Sequence, residues 1–337
     1  NADIVCANGA VAALSVAGDG VTYTGVFTPT AEVSDDSNTC VIGTGWTDTA
    51  GNTGVGSTSS NYAIDGVDPT VVSTTMGDAS IISGETPTVT AVLSEAAALF
   101  TNADITCASG SLGAISVAGD GVTWTGTFTP TASTTAASNT CVVGTSWTDT
   151  AGNAPEAGQT SSAYAVDTAA PTTSSVAIDD ASLITGETAT VTAVLSEANS
   201  GFTNADITCA SGSLGSLSVA GDGVTYTGTF TPTASTTAAS NTCVVGTGWT
   251  DTAGNTGVGL TSSAYAVDTT APTSSWTSIS DTSLIEGETA TLIVVLSEAN
   301  SGFTNADIVC DNGAVATLSV AGDGVTYTGV FTPTAEV

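Results

Sequence analysis

The side chains that could do chemistry in this sequence are almost all carboxylates. The chain has 32 Asp and Glu residues and no Lys, Arg or His, so its formal net charge is −32. Two carboxylates about 4 Å apart repel by roughly 4 kcal/mol at an effective dielectric near 20, and the polypeptide has no cation to relieve that repulsion. A cation from solution must do so. Calcium suits this role, because it accepts about six to eight oxygen ligands with tolerant geometry.

The candidate calcium ligands recur at equivalent positions of a repeated block. They are linker aspartates, a glutamate that ends a strand, the Asp of a Gly-Asp-Gly turn, and the Asp and Asn of a later loop. The predicted metal ligands are Asp65, Asp68, Glu95, Asp149, Asn153, Asp167, Glu197, Asp222, Asp251, Asn255, Asp268 and Glu298. Asp179 is an alternative to Asp167 beside its linker. In a β-sandwich the loops that carry these residues emerge at one pole, so the sequence predicts calcium at the junctions between repeats.

Each of these motifs also has a purely structural explanation. Gly-Asp-Gly is a good hairpin turn by itself, so Asp222 could be a plain turn residue. Ala-Gly-Asn is typical of a loop with a left-handed residue, and Glu197 could be a solvated strand end. A second acidic set could complete a junction from the opposite pole: Asp180, Glu187, Asp281, Glu286 and Glu288. The cluster of Glu32, Asp35 and Asp36 is predicted to be a solvated loop.

The chain consists of near-copies of one sequence block. Asn-Ala-Asp-Ile-(Thr/Val)-Cys begins at Asn1, Asn102, Asn204 and Asn305, in steps of 101, 102 and 101 residues, and other motifs keep the same register. Prolines mark the linkers, because proline ends one strand and stiffens entry to the next domain. The predicted domains are 1–67, which lacks its opening strands, 68–169 and 170–270, which are complete, and 271–337, which lacks its closing strands.

Alternation of apolar and polar residues predicts strands. From Val122 to Thr129, apolar residues and Gly alternate with threonines, which is the pattern of a half-buried strand. Further runs at 187–196, 205–210, 214–220, 240–251 and 263–268, with a first strand after the proline, suggest about seven strands per repeat. The predicted fold is all-β, with tandem seven-stranded immunoglobulin-like β-sandwiches in an elongated array.

Cysteine spacing predicts one disulfide per repeat. The predicted pairs, each 34 residues apart, are Cys6 with Cys40, Cys107 with Cys141, and Cys209 with Cys243. Cys310 would have its partner beyond Val337. Such a bond stabilises by roughly 3–4 kcal/mol through loop closure and persists in oxidising compartments, so we expect a secreted or surface protein. Buried free thiols in a cytosolic protein are the less frequent alternative, and zinc is disfavoured without His or Cys-x-x-Cys.

Composition excludes several classes of function. Nucleic-acid binding and attraction to anionic lipid both depend on Lys and Arg, and no apolar run predicts a membrane helix. An enzyme lacks the His, Lys or Arg groups of most acid-base and nucleophilic chemistry, which leaves only carboxylate-pair glycoside hydrolysis. Only 9% of the residues are charged and the mean hydropathy is positive, so the chain should fold.

Long strings of the sequence carry a family resemblance. Leu-Ser-Glu-Ala-Asn-Ser-Gly-Phe-Thr-Asn-Ala-Asp-Ile, Trp-Thr-Asp-Thr-Ala-Gly-Asn and Tyr-Ala-Val-Asp-Thr-Thr-Ala-Pro resemble the bacterial Ig-like repeats of giant surface adhesins, over the whole chain. The resemblance implies secreted, calcium-rigidified extender regions on a bacterial surface, and some relatives build filaments. It also implies calcium ligation at Asp167, Glu197, Asp251, Asn255 and Asp268. Many such repeats lack the paired cysteines, and most retain some lysine.

Two classes of function follow from these observations. The first is a structural extracellular fibre or adhesin stalk whose partners are further copies of the same repeat. The sequence begins and ends at equivalent points of the repeat, which favours the fibre slightly. The alternative is a carbohydrate- or protein-binding surface module, in which Trp276, an aromatic outside the repeating pattern, would stack on a sugar. The Thr-rich outer faces could also carry O-linked glycan.

Overall fold

The protein is built almost entirely from β-strands. A computed structural model describes residues 2–335, apart from the side chain of Trp276. Over this range the regular elements are 37 strands and three single 3₁₀ turns, and no helix is both long and apolar enough to cross a membrane. The predicted sugar-stacking residue Trp276 therefore has a side chain outside the described part of the molecule.

The strands are numbered in chain order through the four sequence blocks. The first block contains β1 (Ile4–Cys6), β2 (Gly9–Val11), β3 (Ser15–Val16), β4 (Tyr23–Thr24), β5 (Phe27–Pro29), β6 (Ser34–Asn38), β7 (Cys40–Ile42), β8 (Ser57–Thr58) and β9 (Tyr62–Asp65). The second contains β10 (Val71–Met76), β11 (Ser80–Ile82), β12 (Thr88–Leu93), β13 (Ile105–Cys107), β14 (Gly110–Val117), β15 (Thr123–Pro130), β16 (Thr135–Asn139), β17 (Cys141–Val143), β18 (Gln159–Thr160) and β19 (Tyr164–Asp167). The third contains β20 (Thr173–Ile178), β21 (Ser182–Ile184), β22 (Ala189–Leu195), β23 (Asn199–Ser200), β24 (Ile207–Cys209), β25 (Gly212–Leu214), β26 (Ser218–Val219), β27 (Thr225–Pro232), β28 (Thr237–Asn241), β29 (Cys243–Val245), β30 (Thr250–Asp251), β31 (Leu260–Thr261) and β32 (Tyr265–Asp268). The fourth contains β33 (Ser274–Ile279), β34 (Ala290–Leu296), β35 (Gly313–Val315), β36 (Ser319–Val320) and β37 (Thr326–Pro333).

The chain forms two compact units whose limits differ from those of the sequence blocks. The first unit comprises Asn1–Thr172, Ser196–Phe202 and Thr247–Val258; the second comprises Thr173–Leu195, Thr203–Gly246 and Gly259–Val337. Two loops of the third block thus belong to the first unit. These loops carry Glu197, Asp251 and Asn255, three of the predicted metal ligands.

In the first unit the second block forms a two-layered sandwich. One layer is the sheet β10-β12-β15-β14, and the other consists of the sheets β11-β19-β16 and β13-β17-β18. The block has ten strands where the sequence predicts about seven, because breaks divide β10 from β11, β16 from β17 and β18 from β19. Between the layers lies the core: Ile81, Val89, Ala91, Leu93, Phe100, Ile105, Phe128, Cys141, Val143, Trp147, Tyr164 and Val166.

The alternation predicted around Phe128 is present in β15. Gly126 and Phe128 are buried while Thr127 and Thr129 are exposed. The recurring Asn-Ala-Asp motif precedes a strand as a 3₁₀ turn instead of belonging to it. In the second block this turn is Asn102–Asp104, and Thr101 and Asp104 cap it reciprocally. The strand predicted at 205–210 accordingly begins only at Ile207.

The predicted disulfides are confirmed. Cys6–Cys40, Cys107–Cys141 and Cys209–Cys243 are bonded, and Cys310 is a free thiol. Cys107 lies directly opposite Cys141 in the antiparallel pair β13 and β17. The bond therefore joins neighbouring strands of one sheet. Cys141 is fully buried and Cys107 is half-buried.

The second unit repeats this plan with different breaks. Its sheets in the third block are β20-β22-β27-β25, with β26 also paired to β27, then β21-β32-β28 and β24-β29-β31. The fourth block contributes β33-β34-β37-β35, with β36 also paired to β37. A smaller core of Leu292, Val294, Leu296, Val315 and Tyr327 supports this last sheet.

One polar atom in the second block's core is unpaired. The indole nitrogen of Trp124 is buried without a hydrogen-bond partner. At the equivalent place in the fourth block, Asn300 donates to the hydroxyl of Tyr327 at 3.0 Å. Ala97 occupies the position of Asn300 and cannot make such a bond.

We expect Ala97→Asn and Trp124→Tyr to couple favourably by about 1 kcal/mol, the usual net contribution of an intramolecular hydrogen bond. Denaturant unfolding of the double variant and both single variants would measure it. A double variant no more stable than the sum of the singles would show that the pair does not couple.

Candidate metal centre

Three carboxylates from separate parts of the first unit meet at one end of the second block's sandwich. Asp65 ends β9 and begins the linker, Glu95 follows β12, and Asp149 lies in the loop after β17. One oxygen of each lies within 4.8 Å of the others. Asp149 is fully buried, and Asp65 and Glu95 are half-buried. The three oxygens are thus close enough for one ion to contact all of them.

The loop that holds Asp149 is folded around its own carboxylate. One carboxylate oxygen, Oδ1, accepts hydrogen bonds from the backbone nitrogens of Ala151, Gly152 and Asn153 at 2.8, 2.6 and 2.9 Å. Gly152 has φ of 108°, a conformation that glycine adopts without strain. These contacts explain the spacing in Asp-Thr-Ala-Gly-Asn.

Asn153 joins this loop to the linker. Its side-chain nitrogen donates to Oδ2 of Asp149 at 2.8 Å and to the backbone carbonyl of Asp65 at 3.1 Å. The sequence predicts Asn153 as a source of a ligand oxygen, whereas its side-chain nitrogen has a structural role. Only the tertiary structure shows that role, because Asp65 is 88 residues away.

A second loop in the first unit makes the same kind of contacts with a linker. Asp251 is almost fully buried, and its carboxylate accepts from the backbone nitrogens of Gly254 and Asn255 at 2.6 and 2.9 Å. The side-chain nitrogen of Asn255 donates to the carbonyl of Asp167 at 3.0 Å. Its side-chain oxygen accepts from the backbone nitrogen of Ser83 at 2.9 Å. The turn that follows β11 therefore also contacts this loop, a contribution that the sequence did not predict.

The pKa values of these groups diverge. Burial, followed by the charges of Asp149 and Asp65, raises the pKa of Glu95. Burial and then the charges of Asp251 and Asp167 raise the pKa of Glu197 in the same way. Burial alone would also raise the pKa values of Asp149 and Asp251, but hydrogen bonds from their own loops outweigh it and lower both. Each set therefore combines an aspartate that ionises readily with a glutamate whose ionisation is opposed by burial and by neighbouring negative charges.

The remaining predicted ligands are placed differently. Asp222 is exposed and caps its own turn, accepting from the backbone nitrogens of Val224 and Thr225 at 3.0 Å each and from the Thr225 hydroxyl at 2.7 Å. Asp68 is half-buried in the linker, and Glu298 follows β34. Asp268 accepts from the Thr237 hydroxyl at 2.8 Å.

The second acidic set caps its own turns. Asp180 and Glu187 accept from the backbone nitrogens of Ser182 and Ile184 at 2.8 and 2.9 Å, and Asp281 and Glu288 make the matching bonds in the fourth block. Asp179, the alternative linker ligand, accepts from the backbone nitrogen of Thr190 at 2.7 Å. These bonds account for the recurrence of these residues.

The first block contains the same loop. Asp48 accepts from the backbone nitrogens of Ala50 and Asn52 and from the Asn52 side chain, but it is exposed. The bonds that fold this loop are therefore made by the Asp and the Asn. The three-carboxylate arrangement in the second block also includes Glu95 and the linker Asp65.

A known protein family matches this chain once in each sequence block. The sequence profile of the family described as "Bacterial Ig-like domain" matches residues 1–64, 65–166, 167–267 and 268–337. One solved structure that matches is a marsupial T cell receptor, 10% identical, with a TM-score of 0.30, over 79% of this chain and 93% of that chain. No curated protein matches the chain.

Proposed function

The chain belongs to the bacterial Ig-like domain family, and on that premise we propose that it is a structural segment of an extracellular fibre or adhesin stalk with calcium-stiffened joints. Domains of this family are typically extracellular or surface-exposed and generally non-enzymatic. The three disulfides suit an oxidising compartment. The partners that we propose are further copies of the same repeat.

The observation that carries this proposal is the meeting of Asp65, Glu95 and Asp149. Asp65 belongs to the linker, whereas Glu95 and Asp149 belong to the sandwich that follows it. An ion bound to all three would tie the linker to that sandwich and neutralise charges that no side chain of this polypeptide can neutralise. Carboxylate oxygens are among the ligands calcium prefers, and this site brings three carboxylates together. The second set, around Asp251, supports the same role at the next linker.

We expect calcium binding to weaken as the pH falls. A metal ion must displace any proton held by Glu95 or Glu197, whose pKa values are raised. Below those raised values, affinity should fall by at most about tenfold per pH unit for each proton displaced. Without metal, the pH dependence of folding stability has the opposite sign. Ionisation of either glutamate then opposes folding, so the stability that the protonated glutamate contributes is lost as the pH rises through its raised pKa.

Isothermal titration of the calcium-free chain at neutral and mildly acidic pH measures this dependence. Glu95→Gln should remove one binding event and part of the pH dependence. The control is Asp120→Asn, because Asp120 is exposed and caps only its own turn. Binding of equal strength at both pH values, or loss of binding in the control, would contradict the assignment.

A further inference from the structure

The linker between the first and second blocks contains the single Asp-Pro bond of the sequence, which joins Asp68 to Pro69. In the next two linkers the residue before the proline is Ala170 or Ala271. An aspartate can break the bond that follows it, because its carboxylate reaches its own carbonyl carbon through a five-membered ring. Proline favours this step, since its nitrogen carries no hydrogen in the peptide and departs as a basic secondary amine.

The structure holds this bond in place from both sides. Before it, the backbone nitrogen of Glu32 donates to the carbonyl of Gly66 at 3.2 Å. After it, the backbone nitrogen of Thr70 donates to the Ser94 hydroxyl at 2.9 Å, and the backbone nitrogen of Ser94 donates to the Thr70 carbonyl at 2.9 Å. Between these points the proline is buried and the aspartate half-buried. The bond therefore has a fixed position between two packed elements.

A cavity of about 370 Å³ lies beside the bond. Glu32, Asp68, Pro69 and Glu156 line it, so two further carboxyl groups share a space with the aspartate. The second linker lacks this arrangement, because the equivalents of the three acids are uncharged: Ser133, Ala170 and Val258. The backbone nitrogen of Val258 donates to the carbonyl of the linker proline Pro171 at 2.8 Å, which shows that the position of Glu156 adjoins the linker.

One wall of the cavity is fixed by hydrogen bonds. Gln159 in β18 lines it, and its side-chain oxygen accepts from the Thr74 hydroxyl at 3.3 Å. Its side-chain nitrogen donates to the carbonyl of Val72 at 3.3 Å. These bonds hold β18 and the segment before it, which carries Glu156, against β10.

We propose that the Asp68-Pro69 bond is a self-cleavage site. The Asp68 carboxylate attacks its own carbonyl carbon, and the new C–O bond of a cyclic anhydride replaces the C–N bond to Pro69. A proton passes to the departing proline nitrogen from the carboxylic acid of Glu32 or Glu156, which are the proton donors of the cavity. Water then opens the anhydride and restores the carboxyl groups. The net change is the uptake of one water molecule, without an oxidant or reductant.

Cleavage here would give a joint that can be released, a consequence that rests on the proposed function. Asp65 stays with the first piece, whereas Glu95 and Asp149 stay with the second. An ion bound to all three would hold the two pieces together across the broken bond until calcium is removed. The cleavage chemistry itself depends neither on calcium nor on a stalk.

The test follows the intact mass of the folded, calcium-free chain during incubation in one mildly acidic buffer. Fragments 1–68 and 69–337 should accumulate, with masses that sum to that of the chain plus one water. No disulfide spans the bond, because Cys6–Cys40 precedes it and the other two follow it, so the fragments appear without reduction. Asp68→Ala, which recreates the other linkers, should stay intact. A positioned general acid contributes about 10²–10⁴-fold, so Glu32→Gln with Glu156→Gln should slow cleavage at least about 100-fold.

Ala170→Asp provides a control within one molecule. Ala170 is exposed, and the variant has a second Asp-Pro bond without the neighbouring acids. Cleavage after Asp68 should be at least about 100-fold faster than cleavage after residue 170, and denaturant should remove the difference. An intact wild-type chain, or equal rates at the two bonds in the folded variant, would overturn the proposal. Cleaved chains that separate while calcium is present would instead count against the calcium joint and leave the cleavage site standing.

Discussion

Removing calcium is expected to lower the melting temperature of the first unit. A ligand that binds only the folded state at about 100 times its Kd adds about 2.7 kcal/mol of stability. For a unit of about 190 residues this corresponds to roughly 5–10 °C in melting temperature. The effect should be large because the ion relieves repulsion among Asp65, Glu95 and the fully buried Asp149. Calorimetry with calcium and then with chelator measures the shift.

The chain provides a matched control for this experiment. Asp149→Asn removes a predicted ligand together with the bonds that fold its loop, whereas Asp48→Asn removes the same kind of loop bonds around a carboxylate that is exposed. Asp149→Asn should therefore abolish the calcium-dependent part of the shift, and Asp48→Asn should leave it unchanged. Equal loss in both variants would assign the effect to loop folding and not to an ion.

The proposed stiffening of the joint by calcium can be tested on the same samples. Small-angle scattering in calcium should show a narrower distribution of chain dimensions than scattering in chelator, because an ion at Asp65 couples the linker to the sandwich that follows. A change in melting temperature without a change in dimensions would keep the metal site but remove its role at the joints.

Breaking the disulfide of the second block should be the largest single destabilisation. Cys107→Ala with Cys141→Ala opens a loop whose ends are 34 residues apart, and loop-closure entropy then costs about 3–4 kcal/mol. Loss of the buried Cys141 sulfur from the core adds to this cost. Hydrogen exchange of the peptides that contain β13 and β17 reports the loss within this block, even though a chain of several repeats does not unfold in one step.

Cys310→Ser is the control for that experiment. Cys310 is a free thiol in the fourth block, so its replacement should leave exchange in β13 and β17 unchanged. If the double alanine variant exchanged as slowly as the wild-type chain, the disulfide would contribute little beyond the packing of the core around it.

Local patterns in the sequence account for much of the fold. The block spacing sets the tandem organisation, the alternation around Phe128 predicts a half-buried strand, and equal cysteine spacing identifies all three disulfides. These features depend on neighbours in the chain or on a period that repetition makes visible. The same reasoning missed the breaks within the strands. It also placed Ala205 and Asp206 in a strand, although they belong to a capped 3₁₀ turn, because so short a turn has no sequence period of its own.

The candidate site was only partly predictable. The sequence groups Asp65, Glu95 and Asp149 by position in the repeat, but for Asp222 it leaves open both a metal ligand and a plain turn residue. The structure makes Asp222 an exposed turn cap.

Composition and repetition by themselves determined that this chain has carboxylates without cations, equally spaced cysteines and a β-sandwich plan copied along its length. Only the tertiary structure decided that Asp149 and Asp251 are buried, that Asn153 and Asn255 reach the linker carbonyls of Asp65 and Asp167, and that Thr74 touches Gln159. The physical reason is that burial and hydrogen bonding between groups 85 to 88 residues apart depend on which loops and strands pack together.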